Sequence, residues 1–167
     1  MSQENVQIVL AGYEGYEHGD VEAVFASFHP GIVWETLEHT PDPDFNKGHE
    51  AVAGLWASWA DTFDDFWARP GPQLVAGGGK VVVEHRTGGR LKESAHDSPE
   101  VSYDNWTVYT LRDGLVVAVK EYSTLRGALE AAEIDNPAVY ALQDTRVVVV
   151  TEYPTLEEAL EALGLRE

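Results

Sequence analysis

Apolar residues in this chain recur at two periods, and the change from one to the other predicts helices first and strands later. Between Ser2 and His18, Val6, Val9, Leu10, Tyr13 and Tyr16 stand three or four apart, the spacing of one helix face, with Ser2 placed to cap the first turn. Gly19-Asp20 interrupts the pattern. Asp20 then caps a short helix carrying Val21, Val24, Phe25 and Phe28, which His29-Pro30-Gly31 closes. Ile32 to Glu38 reads as a strand and is followed by a loop rich in Pro, Asp and Asn up to Gly48. From Gly48 a long helix is predicted as far as Trp67, because Val52, Leu55, Trp56, Trp59, Phe63, Phe66 and Trp67 recur at three- and four-residue steps. Arg69-Pro70-Gly71-Pro72 ends it.

Beyond that point the period drops to two. Leu74 to Ala76 and Val81 to Thr87 are predicted strands on either side of a Gly77 to Lys80 turn. This triple glycine lacks the spacing of a phosphate loop and leads into a strand. Gly88-Gly89 is a second turn, and an exposed loop, Ser94 to Glu100, follows. The strongest local signal is Tyr103 to Thr124, where two alternating runs flank Arg112-Asp113-Gly114, a hairpin turn in which Gly supplies positive φ. Tyr103, Asn105, Thr107, Tyr109 and Leu111 share one face of the first arm, with Trp106 and Val108 on the other. Leu115, Val117, Val119 and Glu121 share a face of the second. Glu121 extends an apolar face, where a carboxylate must be paired, hydrogen-bonded or protonated. Thr124 caps a helix with Leu125, Ala128, Leu129 and Ala132.

Glu121-Tyr122-Ser123-Thr124-Leu125 reappears as Glu152-Tyr153-Pro154-Thr155-Leu156 at an offset of 31, each copy after a Val-rich run and before an Ala-Leu-Glu-Ala helix. The tail therefore reads as a second strand, cap and helix, with Thr155 and Glu158 forming a capping box, and as a possible duplication of 116–133. Two regions are expected: 1–133, and a strand–helix extension, 134–167, that adds an edge strand or packs on a partner.

Composition narrows the chemistry. The chain has 167 residues, 44% of them apolar, enough for one buried core. It has no cysteine, which removes disulfides, thiolate metal sites and cysteine nucleophiles. Twenty-nine acidic residues against 11 basic give a net charge of −18, a surface that repels nucleic acid. No apolar run is long enough for a membrane helix and no secretory leader is present, so a cytoplasmic location is expected. Serine nucleophile elbows, dinucleotide fingerprints and P-loops are all missing.

The order helix, helix, strand, long helix, strand meander, helix is an α+β arrangement with helices segregated from an antiparallel sheet. Gly19-Asp20-Val21-Glu22, His29-Pro30-Gly31-Ile32-Val33-Trp34-Glu35, Gly48-His49-Glu50, Tyr109 to Gly114 and Ala128-Leu129-Glu130-Ala131 resemble SnoaL-like proteins of the nuclear-transport-factor-2-like superfamily, over about residues 5–133. The resemblance implies a curved sheet wrapped by helices into a cone around an apolar pocket. It also implies homodimers through the outer sheet face, the side that carries Trp106. The ketosteroid isomerase base, tyrosine and oxyanion aspartate would fall at Thr36, Gly12 and Thr107, so that enzyme's set is not retained. Polyketide cyclases of this group are similar in carrying an acid/base on the last strand, at the position of Glu121; their assisting histidine falls at Thr107.

The expected function is a small-molecule pocket protein and, if an enzyme, a cofactor-independent isomerase, cyclase or lyase acting on an apolar carbonyl-type ligand. Glu121 is the expected acid/base, with Tyr109 and Asn105 assisting. Trp34, Thr36, Trp56, Trp59, Phe63, Tyr103, Thr107, Val119 and His85 are the expected ligand contacts. The alternative is a non-catalytic binding or dimerisation module. His39, Asp42, Asp44 and His49 form a loose cluster whose irregular spacing does not define a metal site.

Overall fold

A computed structural model of the chain describes residues 2–38, 40, 42, 44–92 and 99–165. Helices α1 (Ser2–Glu17) and α2 (Val21–Ala26) lead into strand β1 (Phe28–Glu35); β2 (Phe45–Lys47) and helix α3 (Gly48–Thr62) follow. Four long strands come next: β3 (Phe63–Gly77), β4 (Lys80–Leu91), β5 (Val101–Arg112) and β6 (Leu115–Tyr122). Helix α4 (Leu125–Ala132), strands β7 (Ala138–Gln143) and β8 (Arg146–Glu152) and helix α5 (Leu156–Ala162) complete it. All eight strands form one curved sheet in the order β2-β1-β6-β5-β4-β3-β7-β8.

Local signals set many of these boundaries. Asp20 accepts a hydrogen bond from the Ala23 N–H, Thr124 from Gly127 and Thr155 from Glu158, so each cap acts on its own helix. Asp113 and Gly114 both take positive φ, 51° and 75°, and close the β5–β6 hairpin. The cap proposed for Ser2 concerns a side chain outside the described residues, as does most of the Ser94 to Glu100 loop.

Other boundaries depart from expectation. Phe28 begins β1 instead of ending α2, and His29-Pro30-Gly31 lies within that strand. Helix α3 stops at Thr62, and the aromatic run Phe63 to Trp67 belongs to β3. Asp65 has φ of 55° and the register shifts between Asp64 and Trp67, so a bulge spaces these aromatics in a way that imitates a helix. Arg69 to Pro72 also continues the strand, its prolines accommodated where the register shifts again, between Pro70 and Leu74. Gly88 and Gly89 are strand residues, not a turn. A Cβ on Gly88 would lie 2.5 Å from the Trp67 ring and one on Gly89 2.9 Å from the Phe63 Cβ, so the absent side chains admit the two aromatics.

The sheet is mixed, not wholly antiparallel, because β1 pairs parallel with β6. A register shift beside the β5–β6 turn rotates Val116 into the inner core with Val119, which breaks the strict alternation expected from Leu115 to Glu121. In the tail, β7 and β8 form a hairpin that hydrogen-bonds to β3 through β7, so the extension holds two strands rather than one. Tyr140 and Asp144 stand 31 residues after Tyr109 and Asp113, and Asp144 repeats the positive φ of Asp113.

Two cores lie on opposite faces of the sheet. The inner one joins Val6, Leu10 and Tyr13 of α1 and Val52 and Leu55 of α3 to Trp34, Val83, Tyr109 and Val119. The outer one places Leu129 of α4 and Ala159 of α5 on Val75, Val82 and Val108, with Trp106 against it. The outer face around Trp106, where a homodimer was expected, is thus covered by helices of the same chain.

Candidate functional site

The inner face of the sheet, α1 and α3 leave a hollow between them. Its walls are apolar and aromatic, with Trp34 from β1, Trp56 and Trp59 from α3 and Phe66 from β3, and its volume is about 50 Å³. A water molecule needs roughly 10–15 Å³ measured this way, so with its rings as they stand the hollow holds a few waters, and a cyclic ligand enters only as those rings move aside. Tyr16, Trp56, Trp59 and Phe66 are only half-buried and form an edge-to-face and tilted chain of rings: Tyr16 and Trp56 are 5.5 Å apart, Tyr16 and Phe66 6.2 Å, Trp59 and Phe66 6.1 Å. Such contacts are each worth about 1 kcal/mol, so these side chains can move aside for a ligand.

One polar cluster interrupts the apolar wall. Tyr109 donates to the Tyr13 hydroxyl at 3.2 Å, and that hydroxyl lies 2.7 Å from His85 Nδ1. All three residues line the hollow and all are buried. Burial lowers the His85 pKa to about 4, so the ring is neutral near pH 7. Burial also raises Tyr13 well above the usual phenol value, and raises Tyr109, so both remain protonated donors. Two hydrogen settings are open to the cluster. In one, Tyr13 donates to Nδ1. In the other, Nδ1–H donates to Tyr13, which frees the Tyr13 proton for a ligand oxygen and leaves Nε2 as a base. A further donor lies in the wall: among the described residues, the Trp56 indole N–H is the buried side-chain polar group without a hydrogen-bond partner. A buried donor left unpaired calls for a ligand or a water.

Glu121 is 8% exposed. Its Oε1 accepts from the Trp34 indole N–H and its Oε2 from the Leu37 backbone N–H, both at 3.1 Å. Burial raises its pKa, and the bonds from Trp34 and Leu37 offset part of that effect. The carboxylate therefore holds Trp34, a wall residue, and anchors the start of the segment after β1. Trp59 N–H donates to Asp42 of the same segment at 3.1 Å.

Of the expected contacts, Trp34, Trp56, Trp59, His85 and Tyr109 line the hollow. Glu121, Asn105, Thr36, Thr107 and Val119 are buried but are not among the lining residues; Thr107 Oγ1 donates to Asn105 Oδ1 at 3.0 Å. Phe63 stacks at 5.8 Å on Phe66, one position removed from the wall. Tyr103 shares the face of Asn105 and Thr107 by register but is 49% exposed and is not among the lining residues. In the sequence, Tyr13 stands only as part of a core stripe. Its signal in the sequence is a hydroxyl-bearing ring that, with Tyr16, interrupts an otherwise aliphatic helix face. Of the His/Asp group, His39 lies outside the described residues, and His49 Nε2 is 3.1 Å from the Phe28 carbonyl oxygen. Among the described residues no three His, Asp or Glu side chains converge as a metal site, and no described helix is long and apolar enough to cross a membrane.

Comparison with solved structures shows the same fold at low identity. An NTF2-like protein from Burkholderia xenovorans LB400 is 27% identical over 78% of this chain and 97% of its own, with a TM-score of 0.60. TerC, co-crystallised with polyporic acid, is 20% identical over 78% and 98%, with a TM-score of 0.60. A candidate SnoaL-like polyketide cyclase from Jannaschia sp. CCS1 is 20% identical over 78% and 92%, also at 0.60. Comparison with curated proteins gives no match. The family model of the SnoaL-like domain matches residues 9–119, the segment that builds α1, α3 and the inner strands around the hollow. With most of its length inside that match, and with the fold to accompany it, the chain belongs to the SnoaL-like domain family.

Proposed function

We propose that this chain binds a small apolar carbonyl compound in the hollow between α1, α3 and the sheet, and acts on it by cofactor-independent proton transfer, as an isomerase, cyclase or lyase. The observation that carries the reading is the Tyr109–Tyr13–His85 cluster, the polar spot in an aromatic wall that also holds an unpaired Trp56 N–H. In the step envisaged, His85 Nε2 takes a proton from the carbon beside the carbonyl. The C–H electron pair becomes the enolate double bond, and the negative oxygen is held by Tyr13 O–H and Trp56 N–H. Return of the proton to another carbon is isomerisation; attack of the enolate on a second carbonyl is cyclisation. A base whose pKa is about 4 is weak, so the fitting substrate has an acidified C–H, such as one flanked by two carbonyls. TerC, of similar fold, was crystallised with polyporic acid, which agrees with a cyclic oxygenated ligand. Glu121 acts in this reading as a positioning residue behind Trp34.

The narrowness of the hollow favours a second reading, a binding module without turnover. Bicyclic aryl ketones, 2-tetralone among them, separate the two. Tryptophan quenching reports binding, and proton NMR in deuterated water reports exchange beside the carbonyl. The enzymatic reading expects accelerated exchange that Tyr13→Phe and His85→Phe each lower by about 100-fold or more. Quenching without exchange across the panel would leave the binding module. No quenching by any member would remove both.

A further inference from the structure

The hollow is long and thin. Its lining on α1 runs from Ile8 through Gly12 and Tyr13 to Tyr16, which at roughly 1.5 Å of rise per residue is about 12 Å of helix, for a volume of about 50 Å³. The Tyr109–Tyr13–His85 cluster stands between two unlike ends. On one side, Trp67 pairs with Gly88, past His85 on β4, which carries Phe66 and its ring contacts with Tyr16 and Trp59 to that end. On the other, Leu111 pairs with Val116, past Tyr109 on β5, and Val116 pairs in turn with Phe28. Ile8, Val9 and Val24 join Val116 there, so this end is mainly aliphatic. Its polar residue, Ser27, donates its hydroxyl to the Val24 carbonyl oxygen at 2.7 Å.

Gly12 lines the hollow one residue before Tyr13, in the interior of α1. Glycine is less stable than alanine at such a position. Neither the backbone nor the packing demands it: Gly12 has no positive φ, and a Cβ would meet nothing nearer than Val24 Cγ1 at 4.0 Å. Gly15 is the contrast, because a Cβ there would lie 2.8 Å from Val24 Cγ2. What the missing side chain of Gly12 provides is width in the hollow.

We propose that Gly12 is a specificity-determining position, and that the ligand carries an unbranched alkyl chain running from its carbonyl past Gly12 toward Ile8 and Val116. Its aryl group lies on the opposite side, among Tyr16, Trp59 and Phe66. The inference rests on the function proposed above, since Tyr13 and His85 fix where the carbonyl sits. A chain suits a space of this shape because it is thinner than a ring and needs fewer wall residues to move. The half-buried rings at the other end are the ones that yield to an aryl group. The substrate class is therefore the aryl-alkyl ketones, of which benzyl alkyl ketones are the simplest: the CH2 between ring and carbonyl carries the acidified proton. Aliphatic walls hold the chain by apolar burial, so affinity should grow about threefold with each methylene.

Tryptophan quenching by benzyl methyl ketone through benzyl pentyl ketone, with 2-tetralone as the chainless reference, tests this. In the wild type the dissociation constant is expected to fall about threefold per added methylene. Gly12→Ala sets a methyl group in the path of the chain. It should unfold at the same or a higher temperature, bind 2-tetralone within about twofold of the wild type, and lose about tenfold or more in affinity for the pentyl ketone. Gly12→Leu should abolish the dependence on chain length. Wild-type affinity independent of chain length overturns the inference, and 2-tetralone binding in the same experiment leaves the function proposed above standing. A Gly12→Ala loss equal for all ligands overturns it as well. No quenching by any compound removes both.

Discussion

His85 and Glu121 are two buried titratable groups with opposite consequences. The folded state disfavours the charged form of His85, whose pKa drops from the ordinary 6.5 to about 4. Above pH 6.5 both folded and unfolded chains hold it neutral, and its contribution is complete. As pH falls from 6.5 toward 4 the unfolded chain gains a proton that the folded chain does not, and about 3 kcal/mol of stability is lost. Urea unfolding across that range should therefore show a steeper acid loss in the wild type than in His85→Gln. Glu121 runs the other way. Its raised pKa means that its own contribution grows as pH falls through the folded value. Its role is separable by Glu121→Gln. An amide retains one acceptor oxygen but sets an N–H against the other donor, Trp34 or Leu37. A loss of about 1–3 kcal/mol, seen by urea unfolding together with a shift in tryptophan emission, is expected of a positioning residue. Unchanged stability and ligand binding with abolished turnover would return the acid/base role to Glu121.

At the scale of elements, the β3–β4 pair shapes one end of the hollow. Phe63, Phe66 and Trp67 belong to a bulged strand, and Gly88 and Gly89 opposite leave room for the Phe63 and Trp67 rings. Gly88→Val should displace Trp67 and destabilise the fold by about 2 kcal/mol. Thermal unfolding checks this; a neutral outcome would mean that Trp67 does not need the close approach. These elements also show where reading the sequence fails. Aromatics spaced three and four apart satisfied a helical template from Gly48 to Trp67, yet a positive φ at Asp65 gives the same spacing in a bulged strand. Periodicity cannot separate the two; only the partner strand can. The Asp113-Gly114 hairpin and the caps at Asp20, Thr124 and Thr155 were legible because each is satisfied within four residues.

At the scale of the whole molecule, the chain continues its sheet beyond the family match by adding β7, β8 and α5 to the β3 side. Ala159 of α5 is fully buried in the outer core. If 134–167 is, as proposed, an added unit on a 1–133 domain, it is nonetheless integral to stability. Ala159→Glu should cost about 2–4 kcal/mol, since a carboxylate there has no room and no water. A variant as stable to urea as the wild type would show α5 to be a dispensable cover.

The sequence by itself determined whatever depends on neighbours along the chain: the α1 stripe, the hairpin turn, the helix caps, the repeat at an offset of 31, and a chemistry without thiols. It also marked His85, Tyr109 and the tryptophans as candidates, since polar and aromatic side chains on an inward face are visible as a pattern. Tertiary structure alone decided which of them meet. Tyr13 and His85 are 72 residues apart, and Trp34 and Glu121 are 87 apart, so their hydrogen bonds exist only because α1 and β1 lie across the sheet. Glycine gaps, bulges and the parallel β1–β6 pairing likewise arise from contacts between distant strands, whose energy no local pattern records.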